Sequence, residues 1–103
     1  MRNASRAMLV VLALLGPRVA FAADVAEGKL LAETLCSRCH AVGLTDSSAL
    51  PVAPPFRTLK TRYPVESLAE ALAEGMVTGH QDMPEVQLEP VAIRNFIAYL
   101  KTL

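Results

Sequence analysis

The chain has 103 residues, with ten basic and ten acidic side chains and a formal net charge of zero. This length allows one domain and excludes a catalytic domain joined to a separate binding domain. Hydrophobic residues make up 52% of the chain, which is high for a small soluble domain, and the excess is concentrated in residues 7–23.

The N-terminal segment predicts a secretory signal peptide over residues 1–22. Two arginines precede an apolar run over residues 7–15, and residues 20–22 have the small-x-small pattern of a cleavage site. The alternative is an uncleaved membrane anchor, but the apolar run is far shorter than the roughly 20 residues of a spanning helix. We therefore expect a domain over residues 23–103, without a membrane span, in the bacterial periplasm.

The charge of the chain changes when residues 1–22 are left out. The rest has seven basic and ten acidic side chains, and so a net charge of −3. A mildly acidic domain without a basic stripe argues against nucleic acid as a partner. A domain of this size has a marginal hydrophobic core, so we expect a disulfide, a metal or a cofactor to support it.

The first predicted helix begins after Asp24, an N-cap residue with Glu27 in the capping-box position. Four residues with i, i+3, i+4, i+7 spacing predict its buried face: Gly28, Leu31, Ala32 and Leu35. A glycine inside a helix costs about 0.5 to 1 kcal/mol relative to alanine. We therefore expect a packing reason for Gly28.

The two cysteines of the chain lie at the end of this helix, in Cys36-Ser37-Arg38-Cys39-His40. C-x-x-C-H is the attachment motif of c-type haem. The i, i+3 spacing places both thiols on one side of a helical turn, where they can reach two vinyl groups, and His40 can then bind the iron. Three alternatives are a thioredoxin-like dithiol, a structural zinc site that includes His80, and a disulfide, which would close a very small loop.

The rest of the chain predicts a loop and two further helices. Residues 41–55 are rich in proline, glycine and serine and predict the loop. The middle helix has Pro64 in its first turn and Gly75 as its stop, and Leu68 and Leu72 face inward as walls of the haem site.

The last helix begins near Pro90, and its apolar residues repeat with helical spacing: Ile93, Phe96, Ile97 and Leu100. Every predicted segment is helical. The predicted fold class is all-α.

Four features in this order resemble one family. They are Gly28-Lys29, the CSRCH motif, Met83-Pro84 and the closing segment Ile97-Ala98-Tyr99-Leu100-Lys101. Over residues 24–103 the chain resembles the small monohaem class I cytochromes c of bacteria. The resemblance implies three main helices around one haem c, attached through thioethers from Cys36 and Cys39, with His40 as the proximal iron ligand.

The resemblance also implies contacts around the haem. The carbonyl of Pro54 or Pro55 would accept a hydrogen bond from the other ring nitrogen of His40. Phe56 and Leu59 would pack on that ring. An aromatic ring, Tyr99 or Phe96, would rest on Gly28 where the last helix crosses the first. By their spacing after the proline loop, Arg57, Lys60 and Arg62 would reach the haem propionates or serve only as surface charges.

The sixth iron ligand decides between electron transfer and the binding of small ligands. The resemblance places it at Met83, and Pro84 would stiffen the surrounding loop. Met76, His80 and an open position are the alternatives.

These features predict an electron carrier and no enzyme. Its partners would be a donor dehydrogenase or quinol-oxidising complex and an acceptor oxidase or reductase. One alternative is the haem subunit of a larger dehydrogenase or reductase. Another is a haem-based module that binds or senses a small ligand at a labile or open distal site.

Overall fold

The computed structural model describes residues 22–76 and 82–103. Within this part, three α-helices and two short 3-10 helices follow one another: α1 (Val25–Leu35), Phe56–Thr61, Val65–Ser67, α2 (Leu68–Glu74) and α3 (Pro90–Leu100). The predicted all-α fold with three main helices is confirmed. The predicted signal peptide, apart from Ala22, and His80 lie outside the described residues. No helix in the described ranges is long and apolar enough to cross a membrane.

Asp24 begins α1 as predicted. Its side chain accepts a hydrogen bond from the Glu27 amide at 3.1 Å. In a capping box the Glu27 side chain would accept a hydrogen bond from the Asp24 amide. Here that amide donates instead to Oδ1 of Asn95 at 2.8 Å. A residue of α3 thus supplies the second partner, and the start of α1 is fixed to the last helix.

Helices α1 and α3 cross closely at Gly28. A Cβ atom there would overlap the carbonyl oxygen of Asn95 and would lie 2.6 Å from its carbonyl carbon and 3.0 Å from Cβ of Tyr99. Tyr99 is therefore the aromatic residue at the crossing. Phe96 points elsewhere and packs edge-on against Phe56, with ring centroids 5.7 Å apart.

The core follows the predicted face of α3, where Ile93, Phe96, Ile97 and Leu100 are all buried, and Tyr99 is buried as well. The predicted face of α1 is only partly correct. Gly28 and Ala32 are buried, whereas Leu31 is half-buried and Leu35 is 54% exposed. Both leucines line a cavity described below, which accounts for their exposure.

The chain reverses direction after α2. Gly75, the predicted stop, has φ of +101°, a conformation that other residues rarely adopt. The Met76 amide then donates to the Val86 carbonyl at 2.9 Å in an isolated antiparallel bridge, and the Leu88 amide donates to the Leu72 carbonyl at 2.9 Å. The segment before α3 is thereby fastened to the end of α2.

Candidate haem-binding site

A cavity of about 840 Å³ lies between the end of α1, the 3-10 helix Phe56–Thr61, α2 and the segment before α3. Its volume is in the range of small-molecule and cofactor sites. Most lining side chains are apolar. The side chains of Cys36, Cys39, His40 and Met83 all border it, so the structure brings together the residues predicted to attach the haem and bind its iron.

The C-x-x-C-H motif forms a tight turn directly after α1. The Cys36 amide still bonds to the Ala32 carbonyl at 2.9 Å, and the amides of Cys39 and His40 both bond to the Cys36 carbonyl, at 3.2 and 2.9 Å. Both cysteines are half-buried, and they do not form a disulfide. Burial raises the pKa of the Cys36 thiol to about 11, which keeps it protonated at neutral pH.

The imidazole of His40 is held at one nitrogen. Its Nδ1 lies 2.8 Å from the carbonyl oxygen of Pro54, one of the two acceptors predicted from the resemblance. Because a carbonyl can only accept, Nδ1 carries the proton and Nε2 has the lone pair that a metal needs. The ring also packs against Phe56, with centroids 4.9 Å apart, so its orientation is fixed on a second side.

Pro55, which was predicted to contact the haem, lies outside the cavity. It precedes the 3-10 helix Phe56–Thr61, and its carbonyl accepts hydrogen bonds from the amide and the hydroxyl of Thr58, at 2.9 and 2.7 Å. Pro55 does not line the cavity, whereas Pro54 does. The remaining predicted wall residues do line it: Phe56, Leu59, Leu68 and Leu72.

Two methionines border the cavity, Met76 and Met83, and both side chains are half-buried. Met76 lies at the end of α2 with its amide held in the bridge to Val86. Met83 precedes Val86 in the chain and is followed by Pro84, which also lines the cavity.

The basic residues after the loop have partners of their own. Nη1 of Arg57 donates to the Asp46 carbonyl at 2.7 Å, and Nζ of Lys60 donates to the Leu103 carbonyl at 2.7 Å. Neither residue lines the cavity, nor does Arg62, and the choice between propionate contacts and surface charges stays a prediction. Among the described residues, the charged ones that line it are Arg38 and Asp82, which the sequence analysis missed; the place of Arg38 between the two cysteines was the available signal.

The family model for cytochrome c matches residues 25–103. The chain belongs to the cytochrome c family. Neither a curated protein nor a solved structure matches it. Membership means that this cytochrome c carries covalently attached haem c and transfers electrons between redox partners.

The cavity fits such a group. Two free thiols three residues apart, an imidazole with its Nδ1 proton already engaged and largely apolar walls are what a covalently attached haem requires. In the described residues, no three His, Cys, Asp or Glu side chains are arranged to hold a metal ion by themselves. The zinc alternative therefore gains no support from this part of the chain.

Proposed function

We propose that this cytochrome c is a periplasmic one-electron carrier, with its haem attached to Cys36 and Cys39 and its iron held by His40 and Met83. The observation that carries the proposal is the hydrogen bond of 2.8 Å between His40 Nδ1 and the Pro54 carbonyl. It fixes the imidazole at the wall of a cavity that Met83 also borders.

In this proposal the predicted site residues have different tasks. Cys36 and Cys39 bind the haem covalently, and His40 presents Nε2 to the iron. Phe56 and Leu59 exclude water beside His40, while Pro55 begins the short helix that carries both of them. The haem supplies one-electron chemistry at its iron when bound.

Leu68 and Leu72 form the wall contributed by α2. Leu72 is 4% exposed and Leu68 is half-buried, so this side of the cavity is apolar. An apolar surrounding disfavours the more highly charged oxidised centre. These two leucines therefore favour the reduced state.

Met83 is preferred to Met76 as the distal ligand. Its thioether is a neutral, soft donor that stabilises the reduced iron and raises the potential. The bridge between Met76 and Val86 fastens both ends of the segment that contains Met83, and Pro84 restricts the backbone beside it. A weak ligand benefits from such restraint.

The partners follow from the charge and the predicted export. Residues 1–22 would direct the chain to the periplasm, where it would take electrons from a dehydrogenase or a quinol-oxidising complex and give them to an oxidase or a reductase. The domain over residues 23–103 has a net charge of −3, which favours a basic or apolar partner surface over nucleic acid. The same chemistry would serve as a haem subunit within a larger enzyme.

The far-red absorption of the oxidised, haem-loaded protein tests the ligand set, because sulfur-to-iron charge transfer gives a band there only with methionine ligation. We expect the band in the wild type and in Met76→Ala, and its loss in Met83→Ala. Loss in Met76→Ala alone would move the ligand to Met76. No band in the wild type, with rapid carbon monoxide binding by the reduced protein, would favour the ligand-binding alternative.

A further inference from the structure

The loop that follows His40 returns to it through backbone contacts. The Phe56 amide donates to the Ala41 carbonyl at 2.9 Å, directly beside the contact between His40 and Pro54. The Leu50 amide donates to the Cys39 carbonyl at 3.1 Å. The position of the Pro54 carbonyl therefore depends on how firmly this loop is closed.

Asp46 organises the first turn of the loop. Its carboxylate accepts hydrogen bonds from the amides of Val42 and Gly43, at 3.1 and 2.9 Å. Its backbone carbonyl accepts a hydrogen bond from Nη1 of Arg57 at 2.7 Å, and the same nitrogen lies 3.7 Å from the carboxylate and 3.5 Å from the Gly43 carbonyl. One guanidinium thus holds three acceptors of this turn.

Arg57 belongs to the 3-10 helix that begins directly after Pro54 and Pro55. Its side chain is 30% exposed, so these contacts are partly shielded from solvent. Neither Arg57 nor Asp46 borders the cavity. Their contact joins the start of the loop to its end without touching the haem site.

We infer that the contact between Arg57 and Asp46 positions the Pro54 carbonyl on His40 and thereby sets the reduction potential of the haem. This inference rests on the proposed function, because it requires His40 on the iron. Arg57 and Asp46 are positioning residues, since each acts through the loop.

The direction in which the reduction potential changes distinguishes this positioning role from a direct effect of the Arg57 charge on the haem. A hydrogen bond from Nδ1 makes the imidazole a more basic ligand, which favours the oxidised iron. Loosening the loop weakens that bond and raises the potential. Removing a nearby cation acts in the opposite sense, because it relieves repulsion of the more positive oxidised centre and lowers the potential.

The test compares haem-loaded wild type with Arg57→Gln, Arg57→Lys and the control Lys60→Gln. Lys60 lies in the same 3-10 helix and carries the same charge, but its ammonium bonds to Leu103 instead of the loop. The measurements are the midpoint potential and the rate of solvent exchange of the His40 Nδ1 proton in the reduced, diamagnetic protein. The second measurement reports on the Pro54 contact directly.

We expect Arg57→Gln to have a more positive potential than Lys60→Gln and faster exchange of the His40 proton. At one fixed applied potential, the ratio of reduced to oxidised protein should differ between Arg57→Gln and Lys60→Gln by roughly two- to tenfold, where tenfold corresponds to about 59 mV for one electron. In the exchange rate of the His40 proton, Arg57→Lys should fall between wild type and Arg57→Gln, because an ammonium keeps the charge and lacks the planar fork.

Two results would overturn the inference. One is a potential in Arg57→Gln that falls as in Lys60→Gln with unchanged exchange of the His40 proton. The other is a loss of folding stability without change in either measurement.

If Arg57→Gln does not accumulate, Arg57→Lys against Lys60→Arg gives the same comparison at constant charge. A wild type that does not take up haem would overturn the proposed function and this inference together, whereas a haem-loaded series without these differences overturns the inference alone.

Discussion

Tyr99 joins the last helix to the loop beyond the attachment motif. Its hydroxyl donates to the Val42 carbonyl, and its side chain is only 5% exposed. Burial is the main reason that the pKa of Tyr99 is raised, and the nearby carboxylates of Glu33 and Asp46 raise it further. The folded protein therefore prefers the neutral phenol.

Substitution Tyr99→Phe tests this contact. A raised pKa contributes stability that is fully present below the unfolded value of about 10 and is lost as the pH rises through the folded value. We expect the wild type to lose stability above about pH 10, and Tyr99→Phe to lose less there. At pH 7 the variant should be less stable by about 1 to 3 kcal/mol, because the buried Val42 carbonyl loses its partner.

Urea unfolding of the haem-loaded proteins between pH 7 and pH 11.5 measures both effects. Tyr63→Phe is the matched control, since Tyr63 is 37% exposed. An alkaline loss of stability that is equally steep in Tyr99→Phe and the wild type would contradict the assignment.

Single residues show what sequence alone can predict of this site. The spacing of Cys36, Cys39 and His40 indicates the chemistry, since i, i+3 geometry is local. The choice between the adjacent carbonyls of Pro54 and Pro55 depends on the direction of the chain in the folded loop, which no local pattern encodes. The partners of Arg57 could not be predicted for the same reason, because Asp46 lies eleven residues away.

The crossing of α1 and α3 depends on the absence of a side chain at Gly28. Substitution Gly28→Ala would place a methyl group against the backbone of Asn95. Overpacking costs typically about 1 to 3 kcal/mol, and the better helix propensity of alanine offsets about 0.5 to 1 kcal/mol of that. Because the methyl group would meet backbone atoms, the cost lies in the upper part of its range, and we expect a net loss of about 1 to 2 kcal/mol in the free energy of unfolding.

Chemical denaturation of the haem-loaded variant measures this loss. Lys29→Ala is the control, because Lys29 is exposed and its ion pair with Glu33 is long, at 3.8 Å. Its stability should stay within about 0.5 kcal/mol of the wild type. Equal stability of the two variants would show that the helices adjust around the methyl group.

The helices were predictable because apolar residues recur with a period near 3.6, most clearly in α3. The 3-10 helix Phe56–Thr61 was missed, since six residues carry too little periodic pattern. The bridge between Met76 and Val86 was missed because one isolated pair has no sequence pattern at all. Leu35 was placed on the buried face because periodicity does not distinguish a protein core from the wall of a cavity.

At the scale of the whole molecule, the core and the cavity share their side chains. Phe56, Leu59, Leu72 and Phe96 are buried core residues and also line the cavity of about 840 Å³. The packing of one side of the core therefore depends on what the cavity holds. Folding and attachment of the cofactor should be coupled.

The double variant Cys36→Ala, Cys39→Ala tests this coupling, because it removes both attachment points. We expect a lower thermal midpoint and less helix by far-ultraviolet circular dichroism than in the haem-loaded wild type, measured at equal protein concentration. Ser37→Ala is the control within the same motif. A double variant as stable as the wild type would show that the helices pack independently of the cofactor.

The bridge between Met76 and Val86 has a consequence for ligand competition. It closes a segment of nine residues, 77–85, which includes Met83. As the proposed iron ligand, the Met83 thioether would be held by this short segment at a high effective concentration beside the iron. A ligand of similar affinity from solution would have to exceed that concentration to replace it. The entropic free-energy cost of closing a loop rises by about 0.6 kcal/mol for each doubling of loop length. The shortness of the tether, as much as the strength of a single sulfur-to-iron bond, would then decide how well this protein excludes competing small molecules.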